Sequence, residues 1–286
     1  KGQVALNEAI QSTKEKCITY NEALEERVKQ RTMLDNELRI ALRDHQIEPY
    51  FQPQVHALTE EIVGFEILAR WKHARLGYIS PAVFIEIAEK GGYMEKLDQL
   101  MILKVFELMP SFLKIKTDLR FSINLNANSF LSLECYDLLI KQKKKYRLAK
   151  GQITIELTES QHFQDIELFK HMAQAYRQKA FEISLDDYGT GYNTLTLLNS
   201  IDFDEVKIDK SFVDSLKDEK NTSILKSIIA LGHSMDLRIV AEGVESEDQY
   251  HTLVALECDV MQGYLYARPM TFEDAVYYLQ QQSSSR

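Results

Sequence analysis

From Pro49 onward, short apolar runs alternate with amphipathic stretches at a spacing that leaves few folds open. Residues 49–55, 62–68, 120–126, 152–157, 181–186, 205–208, 237–241 and 259–262 read as strands. Helical patterns cover 81–90, 95–113, 131–146, 165–178, a short stretch after Tyr192, 220–235, 246–256 and 271–281. Strands separated by helices form parallel sheets, and eight of them at this spacing close into a barrel. Only six residues separate the first two strands, whereas a parallel crossover needs a dozen or more, so this pair is antiparallel. The expectation is a modified (β/α)8 TIM-type barrel with an antiparallel first strand.

Residues 1–45 lack proline, contain Gly2 alone among glycines, and place Leu6, Ile10, Cys17, Tyr20, Leu24, Leu34 and Leu38 near heptad spacing. Thr13, Arg27 and Arg31 interrupt that seam, which predicts a connector helix or weak dimeric coil rather than an independent coiled coil. The expected organisation is a helical linker over 1–40 and the barrel over 41–286.

A net charge of −9 argues against a DNA or RNA duplex as partner, but it leaves room for a small phosphate ligand bound through cations. Cys17, Cys135 and Cys258 have no metal-type spacing and read as reduced thiols of a cytoplasmic protein. No apolar run is long enough to span a membrane, so membrane contact is expected only through a region upstream of Lys1. The seven histidines are scattered without ligand spacing, and the run Lys141 to Lys145 reads as a solvated helix end.

The strand ends carry the chemistry. Glu66, Asn124, Glu156, Asp186 with Asp187, Lys207, Glu242 and Gln262 stand at or near the C-terminal ends of strands two to eight. In a barrel those ends converge on one mouth. The reversed first strand brings its beginning there, with Gln52. Taken alone, Ser184 to Asn193 is explained equally well as a polar turn with Asp187 as a cap. Five carboxylates in one mouth are another matter, because crowded like charges cannot all stay ionised without cations. Oxygen donors without His or Cys favour Mg²⁺ or Mn²⁺ over zinc.

The ordered series Gln52-Pro53, Glu66-Ile67-Leu68 with Arg70-Trp71, Asn124-Leu125, Glu156 to Ser160, Asp186 to Tyr192, Lys207 to Asp209, Ala241 to Glu245 and Gln262 to Tyr264 resembles the EAL-domain family of cyclic di-GMP phosphodiesterases. The signature reads Glu-Ile-Leu here, with Ile67 where the family usually has alanine. Side-chain alternation turns residue 67 away from Glu66. The resemblance implies that Glu66, Asn124, Glu156 and Asp186 hold one Mg²⁺ or Mn²⁺, and that Asp186, Asp187 and Glu242 hold a second. It implies hydrolysis of cyclic di-GMP to linear pGpG, with Glu66, Lys207 and Glu242 as catalytic groups and Lys207 orienting the attacking water. Gln52, Arg70, Asp209 and Gln262 are the implied substrate contacts, with support of the neighbouring ligand residues from behind the other role open to Asp209. Glu159, Gly189, Thr190, Gly191 and Glu245 are the implied supports of the glycine loop, with helix-start capping the competing role for Glu159, Asp209 and above all Glu245, where a helix begins. A homodimer is implied as well. The competing function is a silent cyclic di-GMP receptor that relays occupancy through the N-terminal helix. The complete ligand set favours catalysis.

Overall fold

The computed structural model describes residues 22–158, 165–189 and 194–284. Most of the predicted linker helix, together with Glu159, Thr190 and Gly191, lies outside them. In chain order the elements are α1 (Glu22–Arg43), β1 (Ile47–His56), β2 (Ile62–His73), β3 (Gly77–Ile79), α2 (Pro81–Gly91), α3 (Met94–Leu113) and β4 (Arg120–Asn124). There follow α4 (Ala127–Leu131), α5 (Leu133–Tyr146), β5 (Ile153–Thr158), α6 (Ile166–Gln178), β6 (Glu182–Tyr188), α7 (Thr194–Ser200) and β7 (Glu205–Ile208). The chain closes with α8 (Lys210–Asp214), α9 (Glu219–Ser234), β8 (Arg238–Ala241), α10 (Glu247–Ala255), β9 (Val260–Met261) and α11 (Phe272–Ser284).

The described residues form two compact units, 22–47 with 71–97, and 48–70 with those from 98 onward. In the smaller unit, β3 folds back on the end of β2 as a hairpin that pairs Trp71 with Ile79 and His73 with Gly77. Helix α2 starts with Pro81 in its first turn, where a missing N–H costs nothing, and stops at Gly92 with φ 72°. The fully buried Trp71 ring meets Phe84 of α2 edge-on at 6.1 Å. Helix α1 is tied to this unit by polar contacts. Arg31 reaches Glu86 at 3.1 Å, while Glu37 accepts from Arg75 at 2.8 Å and lies 3.3 Å from His73.

The larger unit carries the barrel. Its strand order is β1-β9-β8-β7-β6-β5-β4-β2, and a further β1–β2 pairing closes the ring. Neighbours from β2 round to β9 are parallel. The first strand runs against β9, with Val55 opposite Met261 and His56 opposite Val260. The closed eight-stranded barrel and its reversed first strand are therefore as expected from the spacing.

Period-two alternation divides each strand between two environments. Phe121 and Ile123, Ile153 and Ile155, and Ile183 and Leu185 are buried apolar residues. Ser122, Thr154, Glu156 and Ser184 alternate with them and are buried but polar. The apolar set includes an aromatic cluster in which Phe112 of α3 lies 5.0 Å from Phe51 and Phe65, and 5.5 Å from Phe121 and Phe272. One helix, three strands and the C-terminal helix meet on this ring, so replacing Phe112 by alanine is expected to cost about 3–5 kcal/mol. Chemical denaturation checks this, and a loss under about 1 kcal/mol would show that the cluster does not hold the barrel together.

Candidate active site at the barrel mouth

The site is organised around a lysine. Lys207 is the third residue of β7 and is fully buried, 0% exposed. Its Nζ stands 2.6 Å from Glu242 Oε1, 3.1 Å from Glu156 Oε2, 3.2 Å from Asp186 Oδ1 and 3.5 Å from Glu66 Oε1. Strands β2, β5, β6 and the end of β8 thus each deliver one carboxylate to the same ammonium. Glu242 follows the last residue of β8, and its N–H donates to Ile208 O at 3.1 Å, which keeps it in the ladder. Gln262 is held past β9 in the same way, donating to Ala241 O at 2.9 Å.

Asp186 and Asp187 are consecutive on β6, and a regular strand would point them to opposite sides. The sequence suggests that the strand ends and a loop turns one back. Instead the strand runs to Tyr188, and its register with β7 shifts between Leu185 and Tyr188. Asp187 has φ 56°, a left-handed conformation that Asp tolerates better than most residues. This irregularity brings Asp186, Asp187 and Glu242 together, each offering a carboxylate oxygen within 4.8 Å of the others. Two residues after Asp187, Gly189 (φ 94°) is fixed by packing, since a Cβ there would stand 2.6 Å from the Phe212 ring.

A second network covers Glu66 from the other side. Gln262 Nε2 donates to Glu66 Oε2 and, at 3.2 Å, to Gln52 Oε1, while Gln54 Nε2 donates to Gln262 Oε1 at 3.1 Å. Asn124 Nδ2 donates to Glu66 Oε1 at 3.0 Å. Gln52 lies mid-strand rather than at the beginning of β1, because β1 starts five residues earlier. Gln54 is absent from the sequence reading, although its position two residues on from Gln52 places it on the same face.

Electrostatics follow from burial and crowding. Burial works against the charge on Lys207, but Asp186, Glu156, Glu242 and Glu66 outweigh it and hold the ammonium protonated well above its usual range. Burial pushes Glu242 up to about 8 and Asp187 up to about 6, each also repelled by Asp186. Glu156 and Asp186 are raised by the same burial, with Lys207 opposing it. Glu66 differs, because Lys207 and the amides of Gln262 and Asn124 overcome its burial and keep its carboxyl below the ordinary range.

Three implied contacts lie at the edge of this cluster. Arg70 is half-buried, donates to Ala69 O at 3.0 Å and stands 5.9 Å over the Tyr50 ring. Asp209 caps α8 by accepting from Ser211 N at 3.0 Å, and it also adds to the negative field at Asp187. Glu245 accepts from Lys210 Nζ at 2.5 Å, while the capping box at the start of α10 is made by Ser246 and Gln249.

The residues present fit divalent cations. Asp186, Asp187 and Glu242 form a compact set of oxygen donors. Glu156 Oε1, fully buried, has no hydrogen-bond partner and so has a lone pair to give. Carboxylate and amide oxygens without imidazole or thiolate suit Mg²⁺ or Mn²⁺.

Known proteins resemble this chain in sequence and fold. The oxygen sensor protein DosP of Escherichia coli is 34% identical over 258 residues, covering 89% of this chain and 32% of DosP. The probable cyclic di-GMP phosphodiesterase PdeB of the same organism is 36% identical over 244 residues, 85% of this chain and 46% of PdeB. The chain therefore spans less than half the length of these curated relatives. Among solved structures, the PaMucR phosphodiesterase in complex with c-di-GMP superposes with a TM-score of 0.80 at 33% identity, over 85% of this chain and 99% of that one. Residues 35–269, which include every strand of the barrel and each residue around Lys207, match the EAL domain, and the chain belongs to that family.

Proposed function

We propose that this chain hydrolyses cyclic di-GMP to linear pGpG by attack of water at one of the two phosphodiester phosphorus atoms. The observation that carries the reading is the buried Lys207 ammonium with four carboxylates within 3.5 Å, beside the Asp186, Asp187 and Glu242 group. Glu66, Asn124, Glu156 and Asp186 would hold one Mg²⁺ or Mn²⁺, and Asp186, Asp187 and Glu242 a second. When bound, the ions supply Lewis-acid activation of water and neutralise charge on the phosphate. The protein's part is preorganisation. Gln262 and Asn124 pin both oxygens of Glu66, so its carboxylate is oriented before any ligand arrives. Lys207 would offer a fixed positive charge and N–H donors to an attacking oxygen as that oxygen gains charge in the transition state. Arg70, with its planar fork, suits a phosphate of the substrate. Opening the ring breaks one P–O3′ bond, and the leaving oxygen takes a proton.

PdeB and the PaMucR complex support this choice of substrate, through a name in one case and a bound ligand in the other. The test is hydrolysis of cyclic di-GMP by the purified chain with Mg²⁺, Mn²⁺ or chelator. Formation of pGpG is expected only with metal, and Glu66→Ala is expected to lower kcat at least about 10³-fold. Tight binding without turnover under either metal would instead identify a receptor.

Lys207 also makes a structural prediction. Replacing it by methionine leaves buried carboxylates without their counter-charge, with an expected loss of about 3–5 kcal/mol in metal-free buffer at pH 8. The sign with pH is fixed. Glu156, Asp186 and Glu242 already hold protons above the usual carboxylate range, so lowering the pH neutralises them and shrinks the loss. Thermal unfolding of both proteins between pH 6 and 8 measures this, and a gap that widens as pH falls would contradict the assignment.

A further inference from the structure

Below the mouth, the row that begins with Asn124 and Glu156 continues into the barrel interior with polar side chains that the proposed reaction does not use. The strand register aligns Asn124 with Glu156, Glu156 with Ser184, Ser184 with Glu205, and Glu205 with Arg238. Three consecutive members of this row each have a buried oxygen without a hydrogen-bond partner, namely Glu156 Oε1, Ser184 Oγ and Glu205 Oε1. Thr154 Oγ1, two residues below Glu156 on β5, is a fourth. Glu156, Thr154, Ser184 and Glu205 are at most 2% exposed.

Burying even one such oxygen without a partner costs about 1–3 kcal/mol, so four in adjacent positions are not sustained by a dry interior. The opposite end of the row is well satisfied. Arg238 Nη1 donates to Glu205 Oε2 at 2.9 Å and to Glu182 Oε2 at 3.0 Å. The orphaned oxygens thus lie between a saturated ion-pair group and the carboxylate cluster at the mouth. Adjacent strands are about 4.8 Å apart, close to the span of one water bridging two oxygens. Ser122, Thr154 and Ser184 are small buried residues on strands that barrels commonly fill with Val, Ile or Leu. The chemistry of the row favours water over an ion, since Arg238 already pairs with Glu205 and the groups between Glu205 and Glu156 are neutral hydroxyls.

We propose that the barrel interior holds a chain of bound water molecules linking Glu205 through Ser184 and Thr154 to Glu156 Oε1. Ser184 is then a positioning residue. It fixes the orientation of the Glu156 carboxylate from below while Lys207 fixes it from above. This second part rests on the reading of Glu156 as a cation ligand, whereas the waters themselves do not.

A high-resolution crystal structure of the full chain tests the waters directly. Ordered density within about 3.2 Å of both Glu156 Oε1 and Ser184 Oγ is expected, and a dry row overturns the proposal. Thr154→Val and Ser184→Ala give an independent check. An orphaned hydroxyl in a dry core is a liability, so its removal would raise Tm. A hydroxyl that anchors water is an asset, and both variants are expected to lower Tm. Titration calorimetry with Mn²⁺ separates positioning from packing. Ser184→Ala is expected to weaken cation binding roughly fivefold, about 1 kcal/mol, with secondary structure unchanged. An unchanged Kd, with waters present, would overturn the positioning role alone and leave the phosphodiesterase reading untouched.

Discussion

A fully buried ammonium surrounded by four carboxylates is the constraint from which the rest of the site follows. Neither sign is tolerable there alone. A bare lysine would lose its proton, and bare carboxylates would take protons up. Together they stabilise one another, yet one positive charge cannot balance Glu66, Glu156, Asp186 and Glu242 with Asp187 beside them. Burial and mutual repulsion hold Glu242 at about 8 and Asp187 at about 6, so the mouth keeps an unmet demand for positive charge. That demand is what a divalent cation satisfies, and it gives the cluster a reason to exist beyond stability.

The barrel makes the arrangement possible because closure sends successive strand ends to one place. The reversed first strand adds something a uniformly parallel barrel lacks. Running against β9, it brings Gln52 and Gln54 to Gln262, and so fixes the amide that donates to Glu66. The β6 irregularity adds Asp187 to a face that strict alternation would deny it. Both features are departures from a regular barrel, and each places polar groups at the mouth.

Much of this was legible in the sequence, for identifiable reasons. Period-two alternation with a polar terminus marks a strand that points a functional group into a barrel mouth, and Phe121-Ser122-Ile123-Asn124 is a clear example. What alternation cannot convey is local departure from it. The left-handed residue at Asp187 leaves no mark beyond two adjacent acids, and the hairpin strand β3 is only three residues long. The expected helix over 131–146 is α5, starting two residues later because Ser132 caps it, whereas the five-residue α4 before it is too short for periodicity to mark. Helix α8, five residues long, falls below what periodicity resolves. The interior row through Ser184 and Glu205 could have been inferred from Asp186 and Lys207 two residues on, but its meaning depends on inter-strand register, which only the folded barrel supplies.

The most direct measurement of the central claim is anomalous scattering from a crystal of the chain grown with Mn²⁺. The account predicts two peaks, one among Asp186, Asp187 and Glu242 and the other beside Glu66, Asn124, Glu156 and Asp186. A single peak would leave the shared role of Asp186 without support. No peak at the mouth, at Mn²⁺ concentrations well above those that sustain turnover, would contradict the reading of the cluster as a cation site.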